Sequence, residues 1–186
     1  MTSPPDTAHA PQAIDGFDVL DACHRQTLFA LGKLAALVAR LRGVGADAEA
    51  QAMASEVVAF FSTTSRQHHE DEERHVFPKM LESGDPEIVQ AVLRLQQDHG
   101  WLEEDWLELS PQLDAVAAGQ PALDVDLLHR HVEVFTALSH DHIGLEESCI
   151  YPQARARLGS SERREMGREM AARRRAERAA AKTGSS

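Results

Sequence analysis

The sequence predicts an all-α protein: an up-down-up-down four-helix bundle over residues 14–158, followed by an extra, charged C-terminal helix. Three observations predict it. Four long stretches carry apolar residues at three- and four-residue steps. Clusters of Gly and Pro separate them, and no stretch alternates with the period of two that a half-buried strand needs. Aromatic residues make up only 5% of the chain while Ala, Leu, Glu and Arg abound, a balance that favours helix over sheet. At 42% apolar, 186 residues can bury a core of one domain. Short links between long helices make sequence neighbours antiparallel.

Residues 1–13 are Pro-rich and aperiodic and read as a disordered tail. The first helix is expected from about Asp15 to Arg42, with Phe17, Leu20, Leu28, Leu31, Ala35 and Val38 inward; Gly43 and Gly45 stop it. The second is expected from about Asp47 to Leu81, with Met53, Val57, Phe60, Phe61 and Val76 inward and a kink or an end at Pro78. Ser83, Gly84, Asp85 and Pro86 make a tight connection. The third, from about Pro86 to Ala118, has the cleanest stripe, Ile88, Val92, Leu95, Leu102, Trp106, Leu109, Leu113 and Val116, with a bend expected at Pro111. Gly119, Gln120 and Pro121 break the pattern. The fourth is expected from about Leu123 to Leu158, with Leu128, Phe135, Leu138, Leu145 and Cys149 inward. The remaining segment, 159–186, forms a basic tail with a helical piece from about Ser161 to Ala181, and no bundle stripe is expected past Leu158.

Charge is unevenly placed. From Arg155 to Ser186 there are ten Lys/Arg and four Glu, or +6; the other 154 residues carry nine Lys/Arg and 26 Asp/Glu, or −17, which together give the net −11. So acidic a body argues against a nucleic-acid protein. The basic tail has no aromatics for stacking, and a solvated helix with Glu–Arg pairs, lying on the acidic body, fits it better than a nucleic-acid or membrane partner. No 18-residue apolar run and no basic start with an apolar segment are found, and two cysteines make no disulfide framework. These features predict a cytoplasmic protein.

Each apolar stripe has a polar intruder. On the first helix it is His24, on the second His68 and Glu72, on the third His99, on the fourth His142 and Glu146. Counted from the expected bends at ~1.5 Å per residue, the four histidines fall within about one helical turn of a common level. His68/Glu72 and His142/Glu146 are i, i+4 pairs, each on one helical face. Buried carboxylates are costly unless paired or metal-bound. Two central carboxylates can bridge two metal ions, with two imidazoles capping each. Imidazole and carboxylate without thiolate suit iron or manganese, with zinc as a poorer substitute. Six ligands leave about one position open on each ion.

The same residues form an internal repeat. His24 and His99 are 75 apart; His68 and His142, like Glu72 and Glu146, are 74 apart. The string His68-x-x-x-Glu72-Glu73-x-x-x-Phe77-Pro78 matches His142-x-x-x-Glu146-Glu147-x-x-x-Tyr151-Pro152. On these strings, HHEDEERHVFP and HDHIGLEESCIYP, with His24 and His99, the chain resembles the hemerythrin-like, or HHE cation-binding, family over about residues 15–155. The resemblance implies a non-haem di-iron centre with an oxo or hydroxo bridge. His24, His68, His99 and His142 would be terminal ligands, and Glu72 and Glu146 the bridging carboxylates. It implies O2, NO or peroxide as the small-molecule partner.

Oxygen-carrying hemerythrins typically have His-x-x-x-His on the third helix and His-x-x-x-x-Asp on the fourth. Here the motifs are His99-x-x-x-Glu103 and His142-x-x-x-Glu146, nearer to bacterial di-iron proteins that repair iron–sulfur clusters and to iron sensors. Glu103 is thereby a candidate additional ligand, with a solvated face as the alternative. His69, Glu73 and Glu147 lie about 100° round their helices from the ligands and read as supporting or surface groups. Tyr151 is placed to cap the cavity. Three readings follow: a di-iron protein binding or responding to O2, NO, peroxide or iron; a di-iron redox or iron–sulfur repair factor; and a non-catalytic interaction module acting through the basic tail.

Overall fold

The computed structural model describes residues 14–120 and 124–183. The expected tail 1–13 and the expected start of the fourth helix at Leu123 lie outside the described residues. Every regular element among the described residues is helical: α1 (Gly16–Gly43), α2 (Ala48–Ala59), a π-helical turn (Phe60–Ser65), α3 (Arg66–His75), α4 (Phe77–Leu81), α5 (Pro86–Ala117), α6 (Val125–Leu145), a second π-helical turn (Glu146–Ile150), α7 (Tyr151–Arg157) and α8 (Ser160–Thr183). None of these helices is long and apolar enough to cross a membrane.

Four Asp residues start the long helices. The side chains of Asp15, Asp47, Asp85 and Asp124 accept hydrogen bonds from the amides of Phe17, Ala50, Glu87 and Leu127. Each satisfies a donor that the first turn leaves without a helical partner. The second and fourth stretches are not uniform α-helix: a π-helical turn interrupts each, shifting the phase of the side chains that follow. Near Pro78 the helix breaks at Val76 and restarts as α4 with the proline in its first turn, where its missing N–H costs nothing. By contrast, α5 continues through Pro111 to Ala117.

Each of α1, α2, α5 and α6 packs against two of the others, closing a ring. The buried apolar residues form two clusters, one containing Leu34, Phe61, Trp106 and Phe135 and the other Phe17, Leu20, Phe77, Leu95 and Tyr151. Successive stretches run between the clusters in alternating order. Between them lies a buried polar layer: His24, His68, Glu72, His99, His142 and Glu146.

Two details of the expected core differ. Leu28 is 40% exposed and Ala35 faces outward, while Leu34 and Leu37 are fully buried. The inward face of α1 passes through His24 and Thr27, so Leu28, one residue or about 100° further round, is carried outside. Apolar packing also continues past Leu158. Met166 and Met170 of α8 are buried in the cluster with Phe17 and Phe77. The approach is close: a Cβ on Gly16 would collide with the Met166 side chain, and one on Gly167 with the Ile14 backbone. Three arginines of α8 face the body. Arg173 and Arg174 pair with the fully buried Asp71, and Arg163 with Asp15.

Candidate metal centre

The six residues that interrupt the apolar stripes meet in one cluster. His24 lies 1% exposed, His68 3%, His99 6%, His142 2%, and both Glu72 and Glu146 0%. Each comes from an i, i+4 pair or a single position on a long helix, so the spacing of the backbone alone brings the side chains to a common face. Two groups of four ligand atoms form, each within 4.8 Å: His24, His68, Glu72 and Glu146; and Glu72, His99, His142 and Glu146. Both carboxylates belong to both groups. Glu72 turns Oε1 toward His68 Nε2 (3.6 Å) and Oε2 toward His99 Nε2 (3.4 Å). Glu146 turns Oε1 toward His142 Nε2 (3.2 Å) and Oε2 toward His24 Nε2 (3.1 Å).

The electrostatics fit a cation. Burial, then the neighbouring Glu146 carboxylate, push Glu72 up to about 7. Burial acts the same way on Glu146, but the adjacent His142 holds it well below the usual carboxylate range. Burial opposes charge on His142, yet Glu146 and Asp98 raise it to about 10. On His68 burial wins, and its pKa falls well below normal. Several polar atoms here have no hydrogen-bond partner among the described residues: Glu72 Oε2, both Glu146 oxygens, His99 Nε2 and both His142 nitrogens. Buried polar atoms of native proteins are nearly always satisfied. Donor atoms of two residue types, converging and otherwise unpaired, fit a bound divalent cation.

The outer ring nitrogens are oriented by carboxylates. His24 Nδ1 lies 3.0 Å from Glu147 Oε1, and His99 Nδ1 2.9 Å from Glu73 Oε1. Such partners fix the tautomer that leaves Nε2 free to ligate. Glu73 and Glu147, which the spacing placed beside the ligands, therefore have a defined contact. Glu103 is not brought into either group; it is 40% exposed and sits 3.5 Å from Arg66.

Two neighbours were not legible as participants. His69 is half-buried, stacks on His99 with ring centroids 4.0 Å apart, and forms a further close group with His99 and His142. It lies one residue, about 100°, round α3 from His68, which turns it toward the neighbouring His99 rather than into the carboxylate pair. Tyr151, expected only as a cap, donates from its hydroxyl to Glu72 Oε1 at 2.6 Å and stacks on His24 at 5.1 Å. Its match to Phe77 in the repeat was the available signal.

A cavity of about 30 Å³ adjoins His24, His68, His69 and His142, walled by Phe61, Leu102, Trp106, Phe135 and Ile143, with Thr27, Ser65, Arg66, Glu103 and Ser139 as polar members. A water needs roughly 10–15 Å³ by this measure. The space takes a diatomic or triatomic molecule.

Imidazoles ringed around two buried carboxylates, in an all-helical chain, define a helical cation-binding domain. The comparison with protein families agrees: the hemerythrin HHE cation-binding domain matches residues 15–154, and the chain belongs to that family. It is also similar to a Haemophilus influenzae protein carried as "uncharacterized", with 28% identity over 158 residues covering 84% of this chain and 88% of that one.

Proposed function

We propose that this protein is a non-haem di-iron protein, an up-down-up-down four-helix bundle closed by the additional helix α8, that binds or responds to O2, NO or peroxide. One observation carries the reading: two groups of four ligand atoms share both carboxylates. Each ion would take two imidazoles and one oxygen from each of Glu72 and Glu146. Ligation by His24, His68, His99 and His142, with Glu72 and Glu146 bridging, leaves a position for a small molecule on each ion. The donor set favours iron or manganese over zinc, since neither Cys23 nor Cys149 belongs to a ligand group. Iron bound there supplies reversible electron transfer and an open coordination position.

The protein's own residues do the rest. Glu73 and Glu147 hold His99 and His24 in the ligating tautomer. Phe61, Leu102, Trp106 and Phe135 give the cavity an apolar wall and keep it small, which admits a diatomic and limits bulk water. Free cysteines, one buried and one half-buried, suit a reducing cytoplasm.

The test is the optical spectrum of anaerobically iron-loaded protein, titrated separately with O2, NO and peroxide. Saturable spectral changes with at least one of them are expected. Loaded protein whose spectrum none of them alters would refute the small-molecule reading.

A further inference from the structure

The repeat makes the two halves of the centre comparable position by position, and the differences all point one way. In the half formed by His99 and His142, the residue before His99 is Asp98, 1% exposed, whose Oδ2 lies 3.8 Å from His142 Nδ1. Neither atom has a hydrogen-bond partner among the described residues, and the same Asp98 oxygen also lies 3.8 Å from Arg94 Nε. In the half formed by His24 and His68, the corresponding residue before His24 is Cys23. Its thiol points at the Thr64 carbonyl (4.0 Å), one turn from His68, and His68 Nδ1 has no hydrogen-bond partner among the described residues. One half therefore has a carboxylate behind each imidazole, Glu73 at hydrogen-bond distance from His99 and Asp98 3.8 Å from His142; the other has one only behind His24, Glu147.

The second difference is a single hydroxyl. Phe77 and Tyr151 occupy matched positions and stack on matched histidines, Phe77 on His99 and Tyr151 on His24. The Tyr151 hydroxyl donates to Glu72 Oε1, the oxygen turned toward His68, and lies 3.2 Å from His24 Nε2. It draws electron density from the carboxylate oxygen of that half and crowds that half's imidazole nitrogen. Phe77 has no group with which to do the same to Glu146.

We infer that the two metal positions are unequal: the His99–His142 position fills first and holds its ion more tightly, and the His24–His68 position is the exchangeable one. Residues Asp98, Cys23 and Tyr151 set the order. A carboxylate behind a ligating imidazole makes it a stronger donor, and losing one costs about 10–100-fold in metal affinity. The hydroxyl acts in the same direction, so the dissociation constants should differ by at least about tenfold. An exchangeable ion at His24–His68 would let metal leave or arrive without dismantling the other half.

This inference rests on the dinuclear reading, and one experiment separates them. The wild-type protein, stripped and titrated with Co(II), is crystallised at one and at excess equivalents, and the metal positions are read by anomalous scattering at the cobalt edge. At one equivalent the occupancy should concentrate at His99–His142; at excess both positions should fill. Competition with a chelator should resolve two constants about tenfold or more apart. In the C23D/Y151F variant, which gives the weak half what the strong half has, the two constants should converge. Two positions filling with equal occupancy, or His24–His68 filling first, overturns the inference and leaves the dinuclear reading standing. A single position at excess Co(II) overturns both.

Discussion

Asp71 has a fully buried side chain beside Glu72, and its carboxylate is paired with Arg173 and Arg174 of α8. Replacing both arginines by Ala leaves a buried charge without compensation, which costs about 3–5 kcal/mol. The chain has an alternative: α8 can undock and let water reach Asp71. That route exposes Met166 and Met170, 4% and 0% exposed in the folded protein, at about 1.5–3 kcal/mol each. The two routes cost similar amounts, so R173A/R174A should lose about 3–5 kcal/mol whichever it takes. For a chain of this size that is a fall in Tm of roughly 6–20 °C. The repeat indicates the rescue: the position matching Asp71 is Leu145, so a leucine suits this backbone. D71L in the R173A/R174A background should recover most of the loss, giving a coupling of at least about 2 kcal/mol in a double-mutant cycle. Denaturant and thermal unfolding of the chelated protein measure it. If R173A/R174A unfolds within about 1 kcal/mol of wild type, or if D71L adds to the loss, α8 is not clamped through Asp71.

Three further outcomes are expected. E72A or E146A should lose at least one metal ion per chain, read by metal analysis, whereas H24A should retain the ion at His99–His142. The metal-free protein should lose stability as pH rises from about 7 to about 10. His142 is held protonated up to about 10 against 6.5 when unfolded, so its contribution is complete below 6.5 and vanishes through about 10; the raised pKa values of His24 and His99 act in the same direction. The metal-loaded form should lack that slope, and calorimetry at pH 7 in buffers of different ionisation enthalpy should show at least one proton released on metal binding; no release would contradict the charge assigned to His142. Filling the cavity with L102W should leave metal content intact but slow or abolish the spectral response to small molecules, measured by stopped flow.

Much of the architecture was legible because the rules that write it are local. Gly and Pro breaks and a 3.6-residue apolar stripe place α1 and α5 within a residue or two. The six clustered residues were legible for a physical reason as well: a glutamate on an apolar face costs too much to be there without a partner, and it recurs 74 residues later. Contacts that depend on exact side-chain phase were not legible. A π-helical turn in the second and in the fourth stretch leaves no mark in hydropathy, and the second begins at Glu146, where direction matters most. Leu28 misled because apolar character alone was read as burial. Helix α8 looked charged all round because two methionines seemed too few for a docked face; what docks it is close approach at Gly16 and Gly167 together with a buried Asp71, and that carboxylate cannot be distinguished by sequence from its neighbours Glu70 and Glu73.

A pair of metal ions sharing Glu72 and Glu146 is read out by metal analysis of the full chain after anaerobic loading with Fe(II) and removal of loosely bound ion. Two irons per chain are expected, falling to one or fewer in E72A and in E146A. A wild-type protein that retains fewer than one transition metal per chain, or two that persist unchanged in both glutamate variants, would contradict it.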